Sequence, residues 1–204
     1  MAIVSMELIK KLREMSGAGM MDCKTALEEA GGDVEKAFTI LREKGIAKAS
    51  KRAGRSTGQG LVEAYLHKLG DDFPPQVGVL IEVNCETDFV AKGEDFRKLA
   101  RELALQVAAT NPRWVSRDDV PDEVLVEERN LYEAKAEQDG KPKQVIAKIV
   151  EGQVESFLKE TCLVEQPYWR DPKASVHDLI AENISKLQEN NTVRRFARFN
   201  VRES

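Results

Sequence analysis

The run Val77-Gly78-Val79-Leu80-Ile81-Glu82-Val83 is rich in β-branched residues and gives way to a helical pattern starting at Gly93-Glu94-Asp95-Phe96. The first reads as a strand, so the fold has to join sheet to helix through a short connection. That connection, Asn84-Cys85-Glu86-Thr87-Asp88-Phe89-Val90-Ala91-Lys92, is expected to be a polar loop with one large apolar side chain in its middle. Two readings are open for Phe89. Either it folds back into its own core, which an anonymous string favours, or it is an exposed anchor presented to a partner by a loop on a rigid frame.

The rest of the chain supplies mostly helices. Met6, Ile9, Leu12 and Met15 form a helical stripe, and Ser16-Gly17-Ala18-Gly19 breaks it with glycines suited to positive φ. A second helix is expected from about Met21 to Ala30. A third starts at the N-cap Asp33, carries Val34, Ala37, Phe38 and Leu41 on one face, and is expected to end at Gly45. Three helices in so few residues suit a recognition module better than a reaction centre. From Ala47 to Gly60, Lys48, Lys51, Arg52 and Arg55 alternate with glycines, which reads as a mobile basic linker, helical in its first half.

Leu61 to Leu69 and Val77 to Val83 then form a hairpin about the turn Gly70-Asp71-Asp72-Phe73-Pro74-Pro75. Phe96, Leu99, Ala100, Leu103 and Val107 mark a helix that Asn111-Pro112 stops. Further helices are expected from Pro121 to Gln138, from Val145 to Lys159 with a break near Gly152, and from Val176 to about Glu189. Gln166-Pro167-Tyr168-Trp169 reads as a loop, and Thr192 to Val201 alternates as a third strand. The fold class is therefore α+β: a three-helix module over residues 1–46, a basic linker over 47–60, and a core over 61–204 in which a small antiparallel sheet of about three strands packs with helices.

A chain of 204 residues with 42% hydrophobic content can bury a core, and its net charge of −4 disfavours a dedicated nucleic-acid binder. No apolar run is long enough to span a bilayer and no apolar signal core opens the chain, so a cytoplasmic protein is expected. Cys23, Cys85 and Cys162 are scattered and odd in number, which suits buried reduced thiols and no metal. No phosphate-binding glycine loop is present. A Cys85–His67 nucleophile pair, a cation held by Glu82, Glu86 and Asp88, and a nucleic-acid surface of Arg194, Arg195 and Arg198 with Phe196 and Phe199 are each the less favoured reading of their residues. No catalytic residues, no cofactor and no small-molecule substrate are expected.

Two strings carry a resemblance. Leu12-Arg13-Glu14-Met15-Ser16-Gly17-Ala18-Gly19-Met20-Met21-Asp22-Cys23-Lys24-Thr25-Ala26-Leu27 and Glu82-Val83-Asn84-Cys85-Glu86-Thr87-Asp88-Phe89-Val90-Ala91-Lys92 resemble the two signatures of the bacterial elongation factor Ts family. The resemblance extends from Met6 to Phe199, with Ser16 where the family usually has Thr and Thr25 where a basic residue is common. It implies a guanine nucleotide exchange factor for the translational GTPase elongation factor Tu, with a first module like a ubiquitin-associated domain. Thr87, Asp88, Phe89 and Val90 would enter between helices of the GTPase and disturb its Mg²⁺ site. Leu12, Met20 and Met21 are candidates for docking the first module. The chain has room for one copy of the core domain that longer members duplicate, so a homodimer could supply the other half. With Ala197 in the last strand, such a dimer would hold without a disulfide there. The competing function is a nucleic-acid-binding accessory protein using Lys48 to Arg55 and Arg194 to Arg198.

Overall fold

The computed structural model describes residues 4–70 and 72–203. Expectations that fall on residues 1–3, on Asp71 in the hairpin turn or on Ser204 lie outside the described residues. The chain is α+β, with eight helices, five strands and two single 3₁₀ turns among the described residues. Helices α1 (Met6–Ser16), α2 (Met20–Glu29) and α3 (Val34–Ser50) come first, followed by the strands β1 (Gln59–His67) and β2 (Val77–Cys85). A four-residue helix α4 (Asp88–Ala91) leads into α5 (Glu94–Thr110), and α6 (Asp122–Gln138) and α7 (Lys143–Thr161) follow. The short β3 (Pro167–Tyr168) and β4 (Asp171–Ser175), then α8 (Val176–Leu187) and β5 (Asn191–Asn200), complete the chain. The main sheet is antiparallel and ordered β1-β2-β5.

Two compact units make up the protein, each assembled from separate stretches of sequence. The first comprises Met1–Glu63, Glu82–Arg101 and Asp178–Arg194. In it, α1, α2 and α3 share one apolar cluster of Ile9, Leu12, Cys23, Ala26, Leu27 and Ala37. Their ends are set by local chemistry. The Asp33 carboxylate accepts from the amides of Glu35 and Lys36 at 3.0 and 3.1 Å, starting α3. Gly17 ends α1 with φ +65°, and the Ser16 hydroxyl donates to the Leu12 carbonyl at 2.7 Å, closing the last turn.

Helix α3 does not end at Gly45. It runs on to Ser50, and Gly45 is buried in its interior. A Cβ at Gly45 would lie 3.7 Å from the Cβ of Ser185, so the glycine permits close packing against α8 and is no terminator. The basic segment that follows is pinned, in contrast to the mobile linker expected. Asn190 Nδ2 donates to the carbonyls of Ala53 and Arg55 at 3.2 and 2.9 Å, Thr57 and Thr192 hydroxyls meet at 3.0 Å, and Arg52 reaches Gln188 at 2.6 Å. Arg42 pairs with Asp178, Lys186 with Asp95 and Arg101 with Glu63, tying α3 to α8, α8 to α5 and α5 to β1.

The second unit comprises Ala64–Ile81, Glu102–His177 and Arg195–Ser204. Its helical hairpin α6–α7 is built on Val120, Ala136, Ile146, Val150, Val154, Phe157, Leu158 and Cys162. The apolar stripe of α7 carries the helix unbroken through the exposed Gly152, where an interruption was expected. A second difference is the β3–β4 ribbon in place of a loop at Tyr168 and Trp169. Polar partners far away in sequence shape it. Glu102 accepts from Tyr168 Oη at 2.7 Å and from both arms of Arg170, while buried Gln106 accepts from the Trp169 amide at 2.9 Å. No local propensity encodes those contacts.

Candidate functional site

The turn between β2 and α5 belongs wholly to the first unit. Along β2 the buried side chains alternate, with Val83 and Cys85 inward, so the strand delivers its last residue to the interior. The Cys85 thiol donates to the Thr87 carbonyl at 3.1 Å. Burial pushes its pKa up to about 11, and the charge of Glu189 acts in the same direction. A thiol held protonated at neutral pH is no nucleophile, and His67 is engaged with the Tyr65 hydroxyl at 3.0 Å. The Cys85–His67 pair is thereby set aside.

After Cys85 the chain forms one helical turn, α4, where a loop was expected. Thr87 is its N-cap, its hydroxyl accepting from the Val90 amide at 3.4 Å. Val90 turns inward and is 8% exposed, whereas Phe89 is 84% exposed. Phe89 therefore does not fold back into the chain's own core. Asp88 pairs with Lys92 at 2.7 Å, and that hydrogen bond holds its carboxyl below the usual range.

The base of the turn is held by Glu189 and Asn190, which nothing in the sequence singles out, together with Glu86. The Glu189 carboxylate accepts three hydrogen bonds, from the Glu86 amide at 3.1 Å, the Thr87 amide at 3.0 Å and the Thr87 hydroxyl at 2.6 Å. The Glu86 carboxylate answers by accepting from the Asn190 amide at 2.7 Å, with the Arg55 guanidinium 3.6 Å away. An acidic residue just past a helix is common, so the only sequence signal was the polar run Gln188-Glu189-Asn190-Asn191 between helix and strand.

The three docking candidates separate. Leu12 is fully buried in the cluster of α1–α3 and belongs to the core. Met20 is half-buried against the same cluster, and Met21 is 71% exposed. Among the described residues no group of three or more His, Cys, Asp or Glu is placed to hold a metal ion, so Glu82, Glu86 and Asp88 form no such cluster. Among the same residues no helix is long and apolar enough to cross a membrane.

Comparison with known proteins adds the family context. The family model described as Elongation factor TS matches residues 8–203. Elongation factor Ts of Caldanaerobacter subterraneus subsp. tengcongensis is 56% identical over 197 residues, covering 97% of this chain and 96% of that protein. Elongation factor Ts of Thermoanaerobacter sp. (strain X514) is 54% identical, covering 97% and 94%. That of Carboxydothermus hydrogenoformans is 52% identical over 201 residues, covering 98% and 90%.

Proposed function

The chain belongs to the elongation factor Ts family and is a translation elongation factor, and from that premise we propose that it is the guanine nucleotide exchange factor of elongation factor Tu. The observation that carries the reading is Phe89, 84% exposed on a turn braced at its base. A lone aromatic ring held in water by a rigid frame is what a wedge requires, because its burial is deferred until a partner arrives. Thr87 to Val90 enters between helices of the GTPase's nucleotide-binding domain. Mg²⁺ demands a near-ideal octahedron, so a small displacement of the helices supporting it loosens the ion and the phosphates it bridges. Phe89 supplies the push, Val90 roots the turn, Thr87 caps it, and Asp88 is a charged group available to the partner once Lys92 releases it. No bond is made or broken by the factor itself, so it is not an enzyme of covalent chemistry, and it works in the cytoplasm.

Residues 1–46 are the docking module in this reading, with Met21 and the half-buried Met20 at its contact surface. Residues 47–60 join it to a core over 61–204. Lys48 pairs with Asp22 and Arg55 with Glu86, which favours a structural use of the basic segment over a nucleic-acid surface. The thermodynamic test is linkage. If the factor weakens GDP binding by some ratio, GDP weakens the factor by the same ratio. Calorimetry should find a tight complex with nucleotide-free elongation factor Tu that added GDP dissociates, and equal affinity with and without GDP would refute exchange.

The second unit carries an apolar face suited to a second copy of the chain. Leu66, Leu80, Phe199 and Val201 are each more than half exposed, and Leu66, Val77, Gly78, Phe199 and Val201 line a groove of about 460 Å³. A two-fold pairing of this face would cover them without a covalent link, since position 197 is alanine. Phe199→Glu places a charge in that seam. Sedimentation velocity should show a dimer for the wild type and a monomer for the variant. A wild type that sediments as a monomer at tens of micromolar rules the dimer out.

A further inference from the structure

We infer that Glu189 is a positioning residue for the exchange reaction, holding the Thr87–Val90 turn in the pose that projects Phe89. The inference rests on the exchange reading for its functional consequence, and on geometry for the rest. Just past the end of β2, the two successive amides of Glu86 and Thr87 both donate to the Glu189 carboxylate. The helix they enter is four residues long, too short to sustain itself, because fixing a first turn is unfavourable without tertiary support. That support comes from one carboxylate more than a hundred residues away in sequence. It takes both amides and the Thr87 hydroxyl, all charge-assisted bonds.

The reverse contact makes the arrangement a clasp. Glu86 accepts from the amide of Asn190, the neighbour of Glu189, while the Asn190 side chain holds the carbonyls of Ala53 and Arg55. Three segments, 53–55, 86–87 and 189–190, are thus fixed on one another at the start of the turn that carries Phe89. A ring that is 84% exposed gains nothing from the chain's own core, so its direction depends on the backbone under it. Loosening the clasp lets the turn fray and the ring fold onto nearby apolar surface. The ring then has to be ordered again on binding, which weakens both encounter and strain on the GTPase.

Three variants test this: Glu189→Ala, which removes the acceptor; Glu189→Gln, which keeps one acceptor oxygen at the same reach; and Glu189→Asp, which keeps the charge but draws it back. Two readouts are taken. The first is hydrogen exchange at the Glu86 and Thr87 amides of the free protein, beside its thermal midpoint. The second is the rate of GDP release from elongation factor Tu over a range of factor concentrations. Glu189→Ala should lose protection at those two amides, keep its thermal midpoint within a few degrees, and lose about tenfold or more in exchange efficiency. Glu189→Gln should stay within about threefold of wild type, since its carbonyl oxygen can still accept the amides.

Wild-type exchange by Glu189→Ala overturns the positioning role while leaving the exchange function standing. Unchanged amide protection in Glu189→Ala overturns the clasp itself. If the wild type fails to accelerate release, the exchange reading falls. The amide data then decide the structural half of the inference, lost protection supporting it and retained protection refuting it. Should Glu189→Ala fail to fold, Glu189→Asp carries the test, a several-fold loss supporting the inference and a wild-type rate refuting it.

Discussion

Replacing Phe89 with alanine is expected to remove most of the acceleration of GDP release from elongation factor Tu while leaving the factor folded. Both halves follow from one number, the 84% exposure of the ring. An exposed side chain contributes little to the chain's own stability, so the thermal midpoint should move by no more than a degree or two, within the roughly ±0.5 kcal/mol usual for surface substitutions. Burying a phenylalanine in a partner contributes on the order of 1.5–3 kcal/mol. That corresponds to about tenfold to a hundredfold in affinity or in transition-state stabilisation. The neighbours behave differently. Val90 is buried, so Val90→Ala should lower stability as well as exchange, and comparing the two separates the wedge from its root. Stopped-flow release of a fluorescent GDP analogue, beside thermal unfolding of each variant, checks the pair. Release by Phe89→Ala at the wild-type rate would move the mechanism away from this turn.

The largest expected loss of stability lies at Gly60. A Cβ there would sit 2.2 Å from the Val83 carbonyl oxygen and 2.8 Å from the Asn84 Cα, both backbone atoms. No side-chain rotation relieves such a contact, so β1 or β2 has to move, and the shift falls where β2 runs out towards the Phe89 turn. Gly60→Ala should cost about 2–4 kcal/mol, at the upper end for overpacking. Gly45→Ala is the matched control. Its Cβ would make an ordinary 3.7 Å contact with Ser185, and alanine is about 1 kcal/mol better than glycine inside a helix. It should be neutral or stabilising. Urea unfolding of both variants reads the contrast, and equal stability for the two would show that strand approach at Gly60 is not limiting.

Those two glycines also mark where reading the sequence stops. Local chemistry was legible: Asp33 as a cap, the glycine at the end of α1, the β-branched run of β2, and the alternation that made β5 a strand within a residue of its observed ends. Each of these depends on neighbours a few residues away. Gly45 was misread as a stop because its reason for being small, Ser185, lies 140 positions on. The ribbon at Tyr168 and Trp169 was missed because Glu102 and Gln106 shape it from α5. The direction of Phe89 was not legible in its local pattern, which favoured a core residue, and only the family resemblance of the string around it pointed outward. The brace beneath it is Glu189, whose acidic character is unremarkable until the fold brings it to the Thr87 amide. Leu12 shows the converse: a residue inside a family signature can be there for the core.

The central claim, that this chain expels GDP from elongation factor Tu, is tested most directly by mixing the wild-type protein with the GTPase loaded with a fluorescent GDP analogue. Release is followed under excess unlabelled nucleotide as factor concentration is raised. The release rate should climb with factor and approach a plateau at least about tenfold above the spontaneous rate. A release rate that stays at its spontaneous value at every factor concentration would contradict that claim.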